Sequence, residues 1–174
     1  MFMERPDKTM YFLNIALAVA ARSTCLRRKI GAVIVKGNTI VGTGYNGTAK
    51  GVVNCLEVGC IKDLLNLPHD RAYDLCPAVH AEENAIINSN REDRIGAKLY
   101  IAGYDANGNY VTVVPCLRCR RKIINSEIEE VIVLDSSGKP VRYDVKKWVE
   151  EDTNWYLKEL EKARLRKIGD ERIS

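Results

Sequence analysis

The sequence predicts one α/β domain, and three patterns along the chain lead to this prediction. Apolar residues recur at helical spacing near the N-terminus, and two β-branched runs follow with a tight turn between them. In the second half, predicted strands alternate with predicted helices, which favours parallel pairing through crossover helices. A length of 174 residues is enough for one such domain with one apolar core.

Each element follows from a local pattern. In the first half we predict a helix over 7–22, strands over 31–36 and 39–45 joined by a turn at Lys36-Gly37-Asn38, and a short helix over 61–66. In the second half we predict helices over 81–90, 116–126 and 146–166, strands over 98–103, 130–134 and 141–143, and an extended run over 110–114 after a turn-rich insert at 105–109. Residues 46–77 are otherwise irregular, which is uncommon in a compact domain unless the segment is functional or pinned. We expect a single domain over 1–174, with a core over about 8–135 and a helical extension over about 144–168.

Composition excludes several classes of protein. No apolar run approaches the roughly 20 residues of a membrane span. The run from Tyr11 to Ala21 is interrupted by Asn14 and reads as a core helix rather than a signal peptide. The net charge of +4, from 27 basic and 23 acidic residues, is too weak a bias to indicate a polynucleotide partner. We expect a cytoplasmic protein whose six cysteines are reduced.

Two short motifs suggest a metal centre. Residues 80–84 read His-Ala-Glu-Glu-Asn, and residues 115–119 read Pro-Cys-Leu-Arg-Cys. His80, Cys116 and Cys119 offer three zinc ligands, which leave a fourth tetrahedral position for water, as in catalytic zinc sites. Glu82 follows the histidine by two residues and can move the protons of that water. We therefore predict a catalytic zinc site with Glu82 as the proton-transfer group.

Both motifs stand at predicted helix starts, closely preceded by Pro77 and Pro115. The partial positive charge of a helix N-terminus stabilises thiolates, and two such starts on one sheet face would bring the ligands together. Taken singly, a C-x-x-C can be half of a structural zinc site or a redox pair, and a histidine is more often packed than ligating. The combination favours catalysis. We expect Glu83, by contrast, to be a solvated or capping-region residue.

The pairing of H-x-E with P-C-x-x-C is typical of zinc-dependent nucleobase deaminases. With the runs at 29–35 (Lys-Ile-Gly-Ala-Val-Ile-Val) and 44–48 (Gly-Tyr-Asn-Gly-Thr), the chain resembles the cytidine and deoxycytidylate deaminase superfamily, most closely its deoxycytidylate (dCMP) branch. The resemblance implies a three-layer α/β/α sandwich with a five-stranded mixed sheet and helices on both faces. It also implies one catalytic Zn²⁺, conversion of dCMP to dUMP with release of ammonia, and a homo-oligomer.

The resemblance further implies which residues bind the nucleotide. Asn46 is expected to position the sugar or base, with Ala81 as a second substrate contact; the alternative for Asn46 is a plain turn residue. Gly44 and Gly47 would leave room for a ligand close to the backbone. Arg28 is the proposed cation for the phosphate, although solvated basic residues are common.

Four further cysteines suggest a second, structural zinc. Cys25, Cys55, Cys60 and Cys76 could close its coordination shell, and His69 could replace one of them. Such cysteines accompany a structural zinc in part of the family, and a metal here would pin the irregular segment. The alternative is four small buried thiols.

Two departures from the family pattern leave the substrate open. The interval from His80 to Cys116 is 36 residues, lengthened by a hairpin at 104–109, and the segment after Leu134 differs from the usual C-terminus. Rival substrates are cytidine, another aminated base or nucleoside, and adenosine in transfer RNA. From other classes, the rivals are a catalytically silent nucleotide-binding module with structural zinc, and a zinc-ribbon protein that binds nucleic acid.

Overall fold

The computed structural model describes residues 5–68 and 72–171, without the side chains of 167–171. His69 lies outside the described residues. The helices are α1 (Lys8–Ala20), α2 (Cys55–Val58), α3 (Ile61–Leu64), α4 (Ala81–Ile87), α5 (Arg91–Arg94), α6 (Leu117–Asn125) and α7 (Val145–Glu171), with a 3₁₀ turn at Tyr73–Leu75. The strands are β1 (Arg28–Lys36), β2 (Thr39–Tyr45), β3 (Gly47–Thr48), β4 (Ala78–Val79), β5 (Lys98–Asp105), β6 (Glu130–Leu134) and β7 (Pro140–Asp144).

Five strands form one mixed sheet in the order β2-β1-β5-β6-β7. The predicted β1–β2 hairpin is antiparallel, with an irregularity between Ile34 and Val35. The pair β5–β6 is parallel and is joined by a crossover that contains α6, as the alternation of strands and helices predicted. The outer strand β7 pairs with β6 in antiparallel fashion.

The two faces of the sheet are covered by different helices, which gives the expected three layers. Helix α1 packs Phe12, Leu13 and Ala16 against one face. Alternate strand residues point to the other face, where α4, α6 and the start of α7 contribute Ala85, Ile123 and Trp148 to the larger apolar cluster. Helices α4 and α6 therefore lie side by side on one face of the sheet.

The irregular segment 46–77 is pinned at both ends. Strand β3 pairs with β4, so Gly47 lies opposite Val79 and the segment between them forms a closed loop. This pairing was not predicted from the sequence, because a two-residue strand is too short to show an alternation of apolar and polar residues. Helix α2 was also not predicted, whereas the predicted short helix at 61–66 is present as α3.

Several predicted bounds differ from the observed ones, and one predicted extended run is not a strand. Helix α4 ends at Ile87 rather than at residue 90, because the Ser89 hydroxyl donates to the carbonyls of Ala85 and Ile86 and competes with the helical backbone bonds. The run at 110–114 is not a strand; a single bridge between Tyr104 and Tyr110 closes the insert. No helix within the described ranges is long and apolar enough to cross a membrane.

Candidate active site

The three predicted metal ligands converge because two helices begin next to each other. His80 is the N-cap residue of α4, Cys116 is the N-cap residue of α6, and Cys119 lies in the first turn of α6. His80 Nδ1 lies 3.5 Å from Cys116 Sγ and 3.3 Å from Cys119 Sγ. Among the described residues, this is the only group of three His, Cys, Asp or Glu side chains whose donor atoms all lie within 4.8 Å of one another.

These donor atoms fit zinc. Ligands 2.0–2.3 Å from a tetrahedral centre stand about 3.5 Å apart, and the measured separations of 3.5 and 3.3 Å agree with this value. One imidazole nitrogen and two sulfurs are ligands that zinc prefers, and three protein ligands leave its fourth position open.

The three ligand side chains also shift one another's pKa values. A hydrogen bond from the Cys119 thiol, supported by His80, lowers the pKa of Cys116 to about 3 despite burial. The same bond, together with burial, raises the pKa of Cys119, and the hydrogen bond to Cys116 raises the pKa of His80. Cys116 is therefore a thiolate at neutral pH, the form in which cysteine binds metal.

Glu82 stands beside this group without belonging to it. Its side chain is buried, with only 3% of the residue exposed, and it lines the same cleft as His80 and Cys116. Burial raises the pKa of Glu82 above the ordinary glutamate value, because desolvation disfavours the charged form. A carboxyl group with a raised pKa holds a proton more readily than an ordinary glutamate, which suits a group that must accept a proton and return it.

The cleft opens to solvent. Asn46 and Ala81 line it, as the resemblance led us to expect, and the substrate role of each stays a prediction. The Asn46 side chain also joins β1 to the end of β2. Its Oδ1 accepts from the Ile30 N–H at 2.8 Å and from the Ser23 hydroxyl at 2.7 Å, and its Nδ2 donates to the Arg28 carbonyl at 2.9 Å. One of its two amide N–H bonds has no partner among these contacts.

The basic residues that line the cleft are Arg27 and Lys62, and Arg28 is not among them. Arg27 Nε pairs with Asp63 at 3.0 Å, and Nη2 donates to the Leu67 carbonyl at 3.1 Å. Its Nη1 is buried and, among the described residues, has no hydrogen-bond partner. Lys62 is only 4% exposed, and its ammonium lies 5.1 Å from the centre of the Tyr73 ring. The basic triplet at 27–29 is visible in the sequence, but the sequence does not indicate which of its side chains points into the cleft.

The other four cysteines, Cys25, Cys55, Cys60 and Cys76, all line the same cleft. Burial raises the pKa of Cys55, and the thiols of Cys25, Cys60 and Cys76 raise it further. The four side chains therefore interact with one another. No three of them meet the 4.8 Å spacing of the His80 group within the chain as described. All six cysteines of the protein are free thiols, as expected.

One expectation about the neighbouring residues is wrong. The space beside Gly44 is filled by α4 rather than by a ligand, since an added Cβ would lie 2.2 Å from the Ala85 nitrogen. Gly47 does line the cleft. Glu83 lies in the first turn of α4, the capping region in which it was expected, and its half-buried carboxylate forms an ion pair with Lys122 of α6.

Comparison with known proteins agrees with this geometry. The family model for the cytidine and deoxycytidylate deaminase zinc-binding region matches residues 6–135. The deoxycytidylate deaminase of Mycobacterium phage D29 is 44% identical over 135 residues, which are 75% of this chain and 96% of that protein. The deoxycytidylate deaminase of Schizosaccharomyces pombe is 38% identical over 128 residues, which are 74% of this chain.

The chain spans only 37% of the length of the Schizosaccharomyces pombe protein. Among solved structures, the dCMP deaminase of cyanophage S-TIM5 in complex with dCMP and dUMP has a similar fold, with a TM-score of 0.52 at 23% identity over 75% of this chain and 83% of that one. The match of the family model to most of the chain, with both ligand motifs inside the matched range, shows that this protein belongs to the cytidine and deoxycytidylate deaminase zinc-binding family.

Proposed function

We propose that this protein is a zinc-dependent deaminase that converts dCMP to dUMP and releases ammonia. The observation that carries the proposal is a three-ligand group at tetrahedral spacing with a buried carboxyl group, Glu82, in the same cleft. The phage relative, which aligns over nearly its whole length, is a deoxycytidylate deaminase and supports the choice of substrate.

The roles of the residues follow from their chemistry. Zinc held by His80, Cys116 and Cys119 would lower the pKa of a coordinated water from 15.7 to about 7. The Glu82 carboxylate accepts a proton from the attacking water and delivers it to N3 of the cytosine ring. It then takes the proton of the hydroxyl group formed on C4 and passes it to the amine, which leaves as ammonia while the C4–O bond becomes the carbonyl of dUMP. Burial of Glu82 supports this role because it raises the carboxyl pKa.

For the substrate contacts we propose Asn46, Ala81 and one basic residue. The remaining N–H of Asn46 Nδ2 can donate to a sugar or base oxygen, and Ala81 lines the cleft next to His80. For the phosphate we propose Arg27 in place of Arg28, since Arg27 lines the cleft and its Nη1 has no partner among the described residues. Charge-assisted bonds from arginine suit phosphate oxygens.

A panel of substrates tests the proposed reaction. Zinc-loaded protein should release ammonia from dCMP faster than from CMP, deoxycytidine or cytosine. Glu82→Gln should lower kcat for dCMP by about 100-fold or more while keeping its zinc, and Glu92→Gln, which changes an exposed acid on α5, should match the wild type. Turnover of a nucleoside or free base with no turnover of dCMP would remove the monophosphate claim, and zinc-bound protein inert on every substrate would indicate a binding module.

We also propose that Cys25, Cys55, Cys60 and Cys76 hold a structural zinc. Their shared position around one cleft and the effect of three of them on the Cys55 pKa support it. The wild type should contain two zinc ions per chain, and Cys55→Ser with Cys60→Ser should contain one. A wild-type content of one ion removed by His80→Ala would refute the second site.

Further proposals concern organisation, assembly and location. Val145 and Trp148 belong to the same apolar cluster as α4 and α6, which supports one domain that includes the start of α7. Exposed Trp155, Tyr156 and Leu157 on α7 support a homo-oligomer, which light scattering would measure. The six free thiols support a cytoplasmic location.

A further inference from the structure

One ion pair connects the two helices that carry the metal ligands. The Glu83 carboxylate of α4 contacts the Lys122 ammonium of α6. The two side chains are 28% and 39% exposed, so both are partly shielded from solvent. This contact joins residues 39 positions apart in the chain, and it is the only ion pair between α4 and α6 found among the described residues.

The pair lies one helical turn from the ligands on each helix. Glu83 follows His80 by three residues, and Lys122 follows Cys119 by three residues. Residues three apart lie on the same side of a helix, so the ion pair spans the same gap between α4 and α6 that the ligands span. A metal ion at the helix starts and the ion pair one turn further along would therefore connect the same two helices.

Each charge also suits its own helix. Glu83 lies in the first turn of α4, where the helix dipole favours an acid, and Lys122 lies in the last turn of α6, where it favours a base. The helix dipoles therefore favour both charges at these positions.

We propose that Glu83 and Lys122 are a positioning pair that sets the distance between the starts of α4 and α6 and thereby the zinc affinity of His80, Cys116 and Cys119. The inference rests on zinc binding at those three residues, as in the proposed function, but not on which nucleotide is the substrate. Zinc–ligand distances in protein sites lie within about 0.2 Å of their usual values, so the spacing of the two helix starts matters for binding. Residues outside the coordination shell change metal affinity by about 10–100-fold when they contact a ligand directly. Because this pair acts one turn away, we expect the smaller effect of about 3–10-fold.

The rate at which a chelator removes zinc reports this effect, because a lower zinc affinity at an unchanged association rate means faster release. Zinc-loaded wild type, Glu83→Gln, Lys122→Met and the double variant are mixed with excess chelator, and zinc release is followed over time. His80→Ala identifies the phase of release that belongs to the catalytic ion. Arg121→Met is the matched control, because it removes a positive charge from the adjacent position of α6, where the guanidinium lies over Trp155 rather than against α4.

We expect the His80-dependent ion to be released about 3–10-fold faster from each single variant than from the wild type. The double variant should be no faster than the faster single variant, because both remove the same contact. Arg121→Met should stay within about twofold of the wild type. A cobalt-loaded Lys122→Met protein should show an altered visible spectrum, since the ligand geometry changes.

Two results would overturn the proposal. The first is release from Glu83→Gln and Lys122→Met at the rate of Arg121→Met, which would make the pair an ordinary surface contact. The second is a double variant whose effect is the product of the two single effects, which would mean that the residues act independently. If Lys122→Met does not fold, Glu83→Gln, which keeps the side-chain shape, decides on its own. Because zinc release needs no turnover, a failure of dCMP deamination leaves this test unaffected.

Discussion

Replacing Gly44 by alanine should displace helix α4 and with it His80. Gly44 lies on β2 directly beneath α4. A Cβ at this position would lie 2.2 Å from the Ala85 nitrogen, 2.4 Å from the Ala81 carbonyl oxygen and 2.7 Å from the Asn84 carbonyl carbon. All three atoms belong to the helix backbone, so no side-chain rotation can relieve the overlap.

The size of the effect follows from these distances. The contacts with the Ala85 nitrogen and the Ala81 oxygen are 1.2 and 1.0 Å short of the 3.4 Å at which ordinary contact begins, so the helix must retreat by about this much. Overpacking of this kind costs about 3 kcal/mol. At this chain length that loss corresponds to a fall in Tm of about 6–12 °C. A displacement of about 1 Å at a site of reaction also lowers the rate by about 100-fold.

Thermal unfolding, zinc content and ammonia release from dCMP would together measure the effect. Gly42→Ala is the matched control, because its Cβ would meet the Ser89 side chain at 2.7 Å and the Ala85 carbonyl oxygen at 2.9 Å, near the end of α4 that is remote from His80. We expect Gly42→Ala to lower Tm less and to keep its zinc and its activity. If Gly44→Ala retained wild-type zinc content and kcat/KM, the contact between β2 and α4 would not determine the position of the ligands, and the reasoning would fail.

Two further predictions concern charged residues. Arg27→Gln should raise KM for dCMP by about 10–100-fold while deoxycytidine turnover stays unchanged, because only the nucleotide loses a charge-assisted bond. Arg28→Gln should leave KM for dCMP within twofold of the wild-type value. If steady-state kinetics showed the larger increase in KM for Arg28→Gln, the phosphate contact would be assigned to Arg28. The pKa of Glu130 is lowered, since the bonds to Lys98 at 2.8 Å and Arg142 at 3.0 Å outweigh burial. Its stabilisation, about 1 kcal/mol with exposed partners, is therefore present at neutral pH and lost as the pH falls through the lowered pKa. Measured by denaturant unfolding, the free energies of unfolding of Glu130→Gln and wild type should differ at pH 7 and converge in acid. An equal difference at the two pH values would contradict a stabilising role for the Glu130 carboxylate.

The elements that sequence inspection predicted well are those specified by local pattern. The strands at 39–45 and 130–134 were predicted with their observed bounds, because β-branched runs bounded by turn residues indicate strands directly. The helix predicted over 116–126 is observed over Leu117–Asn125, and Cys116 is its N-cap residue. Elements formed by long-range pairing were missed, above all β3 and β4, which are stabilised only by each other across the loop that separates them.

The same division applies to the site. His80, Glu82, Cys116 and Cys119 could be named from their spacing, because zinc chemistry requires those residue types and a helix start supplies the local geometry. Arg27 and Arg28 could not be distinguished, because the side-chain directions of adjacent residues depend on how β1 meets its neighbours. Trp148 and Trp155 lie on one helix, yet only Trp148 is buried, because Trp148 joins the apolar cluster on the sheet and Trp155 does not.

The sequence by itself determined the ligand set, the acid beside it and the helix starts that present them, since these depend on residue type and on spacings of two or three positions. Tertiary structure alone decided that four distant cysteines line the same cleft, that α4 packs directly against Gly44, and that Glu83 forms an ion pair with Lys122. Contacts between residues about 20–50 positions apart depend on the packing of whole elements against the sheet, and no local spacing encodes that packing.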